Sequence, residues 1–95
     1  MPRDALMFVE VTLGDQSEAS TNLFEQSVRL HPDIVECYAI TGVSDYLIVI
    51  ASASFGEAAR LYSEVVTRLP GVKKIRSVFS LRSIRPGASR TPAST

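Results

Sequence analysis

The chain has little of what most catalytic and metal-binding proteins are built from. It holds one cysteine, one histidine and no tryptophan among its 95 residues. A lone cysteine excludes an internal disulfide, and Cys37 with His31 can supply neither a His/Cys metal set nor a Cys–His pair with a second histidine in reserve. A glycine-rich phosphate loop is missing too, since Gly42 and Gly71 stand alone. Charge of neither sign is in excess, because 10 Lys and Arg balance 10 Asp and Glu. A neutral chain lacks the basic footprint of a nucleic-acid binder, so direct DNA binding is not expected. No apolar run approaches the roughly 20 residues of a membrane span. Met1-Pro2-Arg3-Asp4 lacks the apolar core of a secretory signal. The expectation is a single cytoplasmic domain with no membrane contact, cofactor or metal, large enough to bury a core but with little to spare.

What the chain does have is β-rich sequence around one break. Ile34 to Ile40 and Tyr46 to Ala53 are dominated by Ile, Val and Tyr, which favour a pleated, packed surface. Between them Gly42-Val43-Ser44-Asp45 suits a reversal, and the pair predicts a hairpin with a loop of about three to five residues. In the second run both alternating sets, Tyr46, Ile48, Ile50 and Leu47, Val49, Ala51, are apolar. A strand with one wet face alternates, so this is expected to be a central strand covered on both sides.

Ala5 to Leu13 alternates as a first strand, and Gly14-Asp15-Gln16 breaks it. Ser17 to Leu30 predicts a helix capped by Asp15 or Ser17, with Leu23, Phe24, Val28 and Leu30 as its apolar stripe. It ends at His31-Pro32, because the residue before proline avoids the α region. Ser54-Phe55-Gly56-Glu57 fits a capping box opening a second helix, with Phe55, Ala58, Tyr62, Val65, Val66 and Leu69 at helical spacing. Leu69-Pro70-Gly71 stops that helix, and Val72 to Ile84 reads as the last strand. The order is β-α-β-β-α-β, the ferredoxin-like α+β sandwich: a four-stranded antiparallel sheet, first and third strands central, both helices on one face. The domain is expected over residues 1–85, with a disordered tail at 86–95. The sheet face without helices needs cover, and a second copy across a two-fold interface supplies it most simply.

Among ionisable residues Asp45 is the strongest candidate, at a loop-to-strand junction near a glycine. It either caps its own turn or faces a ligand. Lys73, Lys74 and Arg76 are either a solvated strand start or a contact for an anion or carboxylate. His31 reads as a histidine at a helix C-terminus, and Cys37 as a structural thiol.

Taken together, Phe8 to Leu13, Phe24 and Val28, Pro32 to Tyr38, the hairpin Ile40-Thr41-Gly42-Val43-Ser44-Asp45-Tyr46-Leu47, Leu69 to Val72 and Ile75 to Arg82 resemble the C-terminal effector domain of the leucine-responsive regulator/asparagine regulator (Lrp/AsnC) family. The match runs from about Leu6 to Arg85. The resemblance implies the same ferredoxin-like fold in a dimer, commonly assembled into an octamer of four dimers. It implies an amino-acid effector bound between dimers near the hairpin loop, which carries over onto Thr41, Gly42, Val43, Ser44 and Asp45. A neighbour's closing strand commonly adds two threonine hydroxyls. Here Ile75 and Ser77 hold those positions, which implies a preference for an apolar or aromatic amino acid. The family's helix-turn-helix has no room before the first strand, so the chain is expected to act alone or as part of a longer regulator, or with full-length Lrp/AsnC regulators in mixed oligomers. The rival readings are a small dimeric ferredoxin-like enzyme, of the monooxygenase or isomerase kind, and an ACT-type amino-acid-binding domain.

Overall fold

In the computed structural model, which describes residues 5–85, the elements follow in the expected order. They are β1 (Ala5–Leu13), α1 (Glu18–Arg29), β2 (Ile34–Ala39), β3 (Tyr46–Ser52), α2 (Phe55–Glu64) and β4 (Val72–Phe79), with a 3₁₀ turn at Val66–Arg68. The tail expected to be disordered, 86–95, lies outside the described residues. The four strands are ordered β2-β3-β1-β4 and every neighbouring pair is antiparallel, which makes the fold ferredoxin-like with β1 and β3 in the centre.

Strand register sorts the side chains onto two faces, because a strand's period is two. On the helix side Met7 pairs with Ile50, Val9 with Ile48 and Val11 with Tyr46, and all six are buried. Phe24 and Val28 of α1, Ala58 and Leu61 of α2, and Val66 and Leu69 beyond it complete that core. Fully burying an aliphatic or aromatic side chain contributes about 1.5–3 kcal/mol, so this layer is the main source of stability. The other face carries Leu6 opposite Ala51, Phe8 opposite Val49 and Glu10 opposite Leu47, and no helix covers it. This is why β3 is apolar in both alternating sets.

Helix ends follow local chemistry. The Ser17 hydroxyl accepts from the Ser20 N–H at 3.2 Å and caps α1. The Asp15 carboxylate accepts from the Ser17 N–H at 2.9 Å and from the hydroxyls of Ser20 and Ser17, which hold its carboxyl below the usual range. At α2 the Ser54 hydroxyl accepts from the Glu57 N–H at 3.1 Å, while Glu57 reaches back to the Ala53 N–H at 2.6 Å, one residue before the cap.

Four sequence expectations are corrected. Of the α1 stripe only Phe24 and Val28 are buried; Leu23 and Leu30 are exposed. The second helix ends at Glu64, short of Leu69. The β-branched run Val65-Val66-Thr67 disfavours further α-helix, and the tighter 3₁₀ turn sets Val66 and Leu69 into the core. Phe55, expected in the stripe, is half-exposed and meets Phe79 edge-on at 5.1 Å between ring centres. The last strand ends at Phe79, short of Ile84, because its partner β1 runs out: the Ser80 N–H still reaches the Leu6 carbonyl at 2.8 Å, but Leu81 and Ile84 are exposed.

The two layers are tied where α1 crosses β2 and β3. The Phe24 ring lies 4.6 Å from that of Tyr46, whose hydroxyl donates to the Glu25 carboxylate. Beside them a cleft of about 200 Å³ is lined by Glu25, Val28, Arg29, Cys37, Ala39 and Tyr46. Burial, then the hydrogen bond to Glu25, pushes Tyr46 up to about 12. Burial, then the Glu25 charge, pushes the Cys37 thiol up to about 11, so this thiol stays protonated and unreactive at neutral pH.

Two outcomes are expected. Phe24→Ala should cost about 3–5 kcal/mol in urea unfolding, whereas Leu81→Ala, on an exposed side chain, should stay within about 0.5 kcal/mol. Tyr46 and Cys37 are both held neutral by the fold, so the unfolded chain loses their protons first. Their contribution is complete below the ordinary values of 9.0 for cysteine and 10.0 for tyrosine, and is lost as pH rises through about 11 and about 12. The melting temperature should therefore fall between about pH 9 and 12, and Tyr46→Phe should flatten the upper part of that fall.

Candidate functional site

The hairpin connection runs from Ile40 to Asp45. Its root is paired: the Ile40 N–H donates to the Asp45 carbonyl at 3.0 Å, which leaves Thr41, Gly42, Val43 and Ser44 as the tip. Gly42 has φ +113°, a conformation costly for any residue with a Cβ, although a Cβ there would meet nothing within 4 Å. Glycine is required by the backbone and not by space. Val43, the next residue, is 88% exposed.

Asp45 does not cap its own turn. Its N–H donates to the Val11 carbonyl at 2.8 Å, and its Oδ2 accepts from the Leu13 N–H at 2.8 Å and from Gln16 Nε2 at 3.1 Å. Gln16 Nε2 also donates to the Leu13 carbonyl at 2.6 Å. The carboxylate proposed from sequence for a ligand thus ties the hairpin to the end of β1. Ser44, one residue earlier, donates through its hydroxyl to Glu10 Oε1 at 3.0 Å.

Beside the tip lies a cavity of about 340 Å³ on the face without helices. Thr41, Val43 and Ser44 form one wall with Ile40, and Glu10, Thr12, Lys74 and Arg76 form the floor. The floor follows from register, since Glu10 is opposite Arg76 and Thr12 is opposite Lys74. Ile75 and Ser77 are opposite Val11 and Val9, so they belong to the helix face. Ile75 packs against the core and Ser77 is exposed. Within one chain the structure therefore brings Thr41, Val43 and Ser44 together with Lys74 and Arg76, and not with Ile75 or Ser77. The resemblance assigns Ile75 and Ser77 to a site shared with a neighbouring copy, so the apolar-effector expectation concerns the assembled site and not this single-chain cavity.

Sequence reasoning had singled out Lys74 and Arg76 but not Glu10 or Thr12. The available signal was the polar pair ending the otherwise apolar outward set of β1: Leu6 and Phe8, then Glu10 and Thr12. His31 donates its backbone N–H to the Val28 carbonyl at the end of α1. Among the described residues no group of three His, Cys, Asp or Glu could hold a metal ion. No helix among them is long and apolar enough to cross a membrane. The two helices are separated by the β2–β3 hairpin, so the described residues contain no helix-turn-helix.

Comparison with known proteins agrees with this geometry. The model of the Lrp/AsnC ligand binding domain matches residues 6–89. The HTH-type transcriptional regulator y4sM of Sinorhizobium fredii is 41% identical over 81 residues, covering 85% of this chain and 64% of that protein. The proline dehydrogenase transcriptional activator of Rhodobacter capsulatus is 31% identical over 77 residues, covering 81% of this chain and 50% of that protein. The chain thus spans about half to two-thirds of the length of these relatives. For the fold alone, the L-Met complex of a transcriptional regulator from Neisseria meningitidis superposes with a TM-score of 0.79 at 24% identity, over 93% of this chain and 56% of that one. The free-standing hairpin tip, the two-faced sheet and the sequence match over 6–89 agree: the chain belongs to the Lrp/AsnC family and forms that family's ligand-binding domain.

Proposed function

We propose that this domain senses a free amino acid at its hairpin tip and passes the signal on through assembly, as a homodimer built up toward an octamer of four dimers or in mixed oligomers with full-length Lrp/AsnC regulators. The observation that carries the sensing half is the cavity beside the tip, which is walled by exposed loop residues and floored by charged ones. An amino acid offers an ammonium and a carboxylate about one residue apart, and charged groups with loop backbone can meet both. The N. meningitidis regulator was crystallised with L-Met, which makes an amino acid the natural class to test first. Chain-autonomous DNA binding and enzymatic turnover form no part of this reading.

Assembly follows from the uncovered face. Leu6, Phe8, Leu47 and Ala51, partly buried, form an apolar field there around the buried Val49, with Tyr38 and Val78 at its sides, each about half exposed. Contiguous apolar surface of this kind marks an interaction site, and a self-complementary patch closes as a two-fold dimer.

A thermal-shift series with the twenty amino acids tests sensing: one or more should raise the melting temperature by mass action, and a flat response across all of them would sink the proposal. Asp45→Ala separates support from contact. It orphans the Leu13 N–H and should lower stability by about 1–3 kcal/mol. Effector affinity that falls no further than this lowered stability accounts for would mean that the carboxylate does not touch the ligand. For assembly, Val78→Glu should give a folded monomer by light scattering and circular dichroism; a wild-type chain that is already monomeric at micromolar concentration would refute the dimer.

A further inference from the structure

We infer that the cavity at the hairpin tip selects an acidic amino acid, with Glu10 as the partner of its ammonium and Lys74 and Arg76 as the partners of its two carboxylates. The inference rests on the reading above that this cavity is an effector site.

The argument is one of unmatched charge. Glu10, Lys74 and Arg76 share the floor through register, Arg76 directly opposite Glu10 and Lys74 opposite Thr12 two residues along. Among the described residues the ion pairs within 4 Å are Arg29–Glu25 and Arg60–Glu64, each one turn apart on a helix. Among the described residues neither floor cation has a carboxylate that close. The floor thus holds two cations and one anion, and the balance left for a ligand is one negative charge. A dicarboxylic amino acid carries that charge at neutral pH, as two carboxylates and one ammonium. A neutral amino acid would leave one cation unmatched. A simple dicarboxylate would place acceptors against Glu10, where like charges repel.

Geometry agrees with this division. Glu10 Oε1 is held by the Ser44 hydroxyl at 3.0 Å, which orients the carboxylate beside the tip and leaves its second oxygen for an ammonium. Asp45 does not line this cavity, and its Oδ2 serves the Leu13 N–H and Gln16 instead. A volume of about 340 Å³ suits a small molecule and falls at the low end of the roughly 300–1,000 Å³ of ligand pockets. Arginine can grip a carboxylate with two parallel N–H donors, and lysine can add a point charge to the second carboxylate.

The test is calorimetry and thermal shift on the whole chain with L-glutamate, L-aspartate, L-leucine and glutarate. The expected result is that L-glutamate or L-aspartate binds at least tenfold more tightly than L-leucine or glutarate. Arg76→Gln should weaken that binding about ten- to a hundredfold. Glu10→Gln should erase the preference over glutarate. Arg60→Gln, which removes a cation from α2 far from the floor, should change nothing. Circular dichroism confirms that each variant is folded. Tighter binding of L-leucine, or acidic binding that survives Arg76→Gln, would overturn this inference while leaving the effector reading intact. Glutarate binding as well as L-glutamate would overturn the role of Glu10. No binding by any amino acid would overturn the effector reading itself, and this inference with it.

Discussion

A side chain completes the backbone ladder at the centre of this fold. The pairing of β1 with β3 ends at Val11 and Tyr46, two residues before β1 itself ends. The next N–H on that side of β1 belongs to Leu13, and no backbone carbonyl of β3 is left to receive it. The Asp45 carboxylate receives it instead, while the Asp45 N–H takes the Val11 carbonyl. The hairpin root is thereby locked to the central strand by one backbone and one side-chain bond, and a charge-assisted bond of this kind is worth more than a neutral one. On the other edge of β1 the Gly14 N–H meets the Gly71 carbonyl at 3.0 Å, and Gly71 needs its φ of +79° to turn into β4. Both neighbours of β1 are thus fixed at the same end of the sheet. A rigid root is what permits a tip that is exposed and lightly held, since local stability is set by where the bonds are.

The same end of the sheet gathers the polar residues. Outward positions of β1 pass from Leu6 and Phe8 to Glu10 and Thr12, and those of β4 from Val78 to Arg76 and Lys74. The uncovered face is therefore apolar over most of its area and charged beneath the loop. An apolar field alone could only be covered. A charged end next to an exposed loop can also discriminate, because the direction and sign of each group restrict what fits.

Much of this architecture is legible in the sequence, and the failures have physical causes. Element order and the central position of β3 can be read because Tyr46 to Ala51 is apolar at every residue, a pattern that few structures satisfy. The capping residues Ser17 and Ser54 can be read because their preference is local. Element ends are harder. Val65, Val66 and Leu69 keep helical spacing in sequence, yet the 3₁₀ turn buries Val66 and Leu69 by a tighter path. Leu81 and Ile84 look like strand residues, but a strand needs a partner, and among the described residues the β1–β4 pairing ends at Met7 and Phe79. Asp45 was found as the residue that matters and its partner was missed, because the Leu13 N–H lies 32 residues away and becomes an orphan only once the register is known.

Parity on β4 has the largest functional consequence. Side chains on a strand alternate, so a shift of one residue moves a group to the opposite face. Lys74 and Arg76 stand on the face that carries the loop cavity, whereas Ile75 and Ser77 stand on the face packed by helices. No rearrangement of rotamers exchanges these sets. Within a single chain the tip can therefore work only with the charged set. Ile75 and Ser77 can approach a hairpin tip only if that tip belongs to another copy. The chemistry presented to a ligand then depends on whether neighbouring copies are in place, and that dependence is a direct physical route by which binding and assembly become coupled: a ligand that contacts groups from two chains stabilises their association by its affinity for the assembled state.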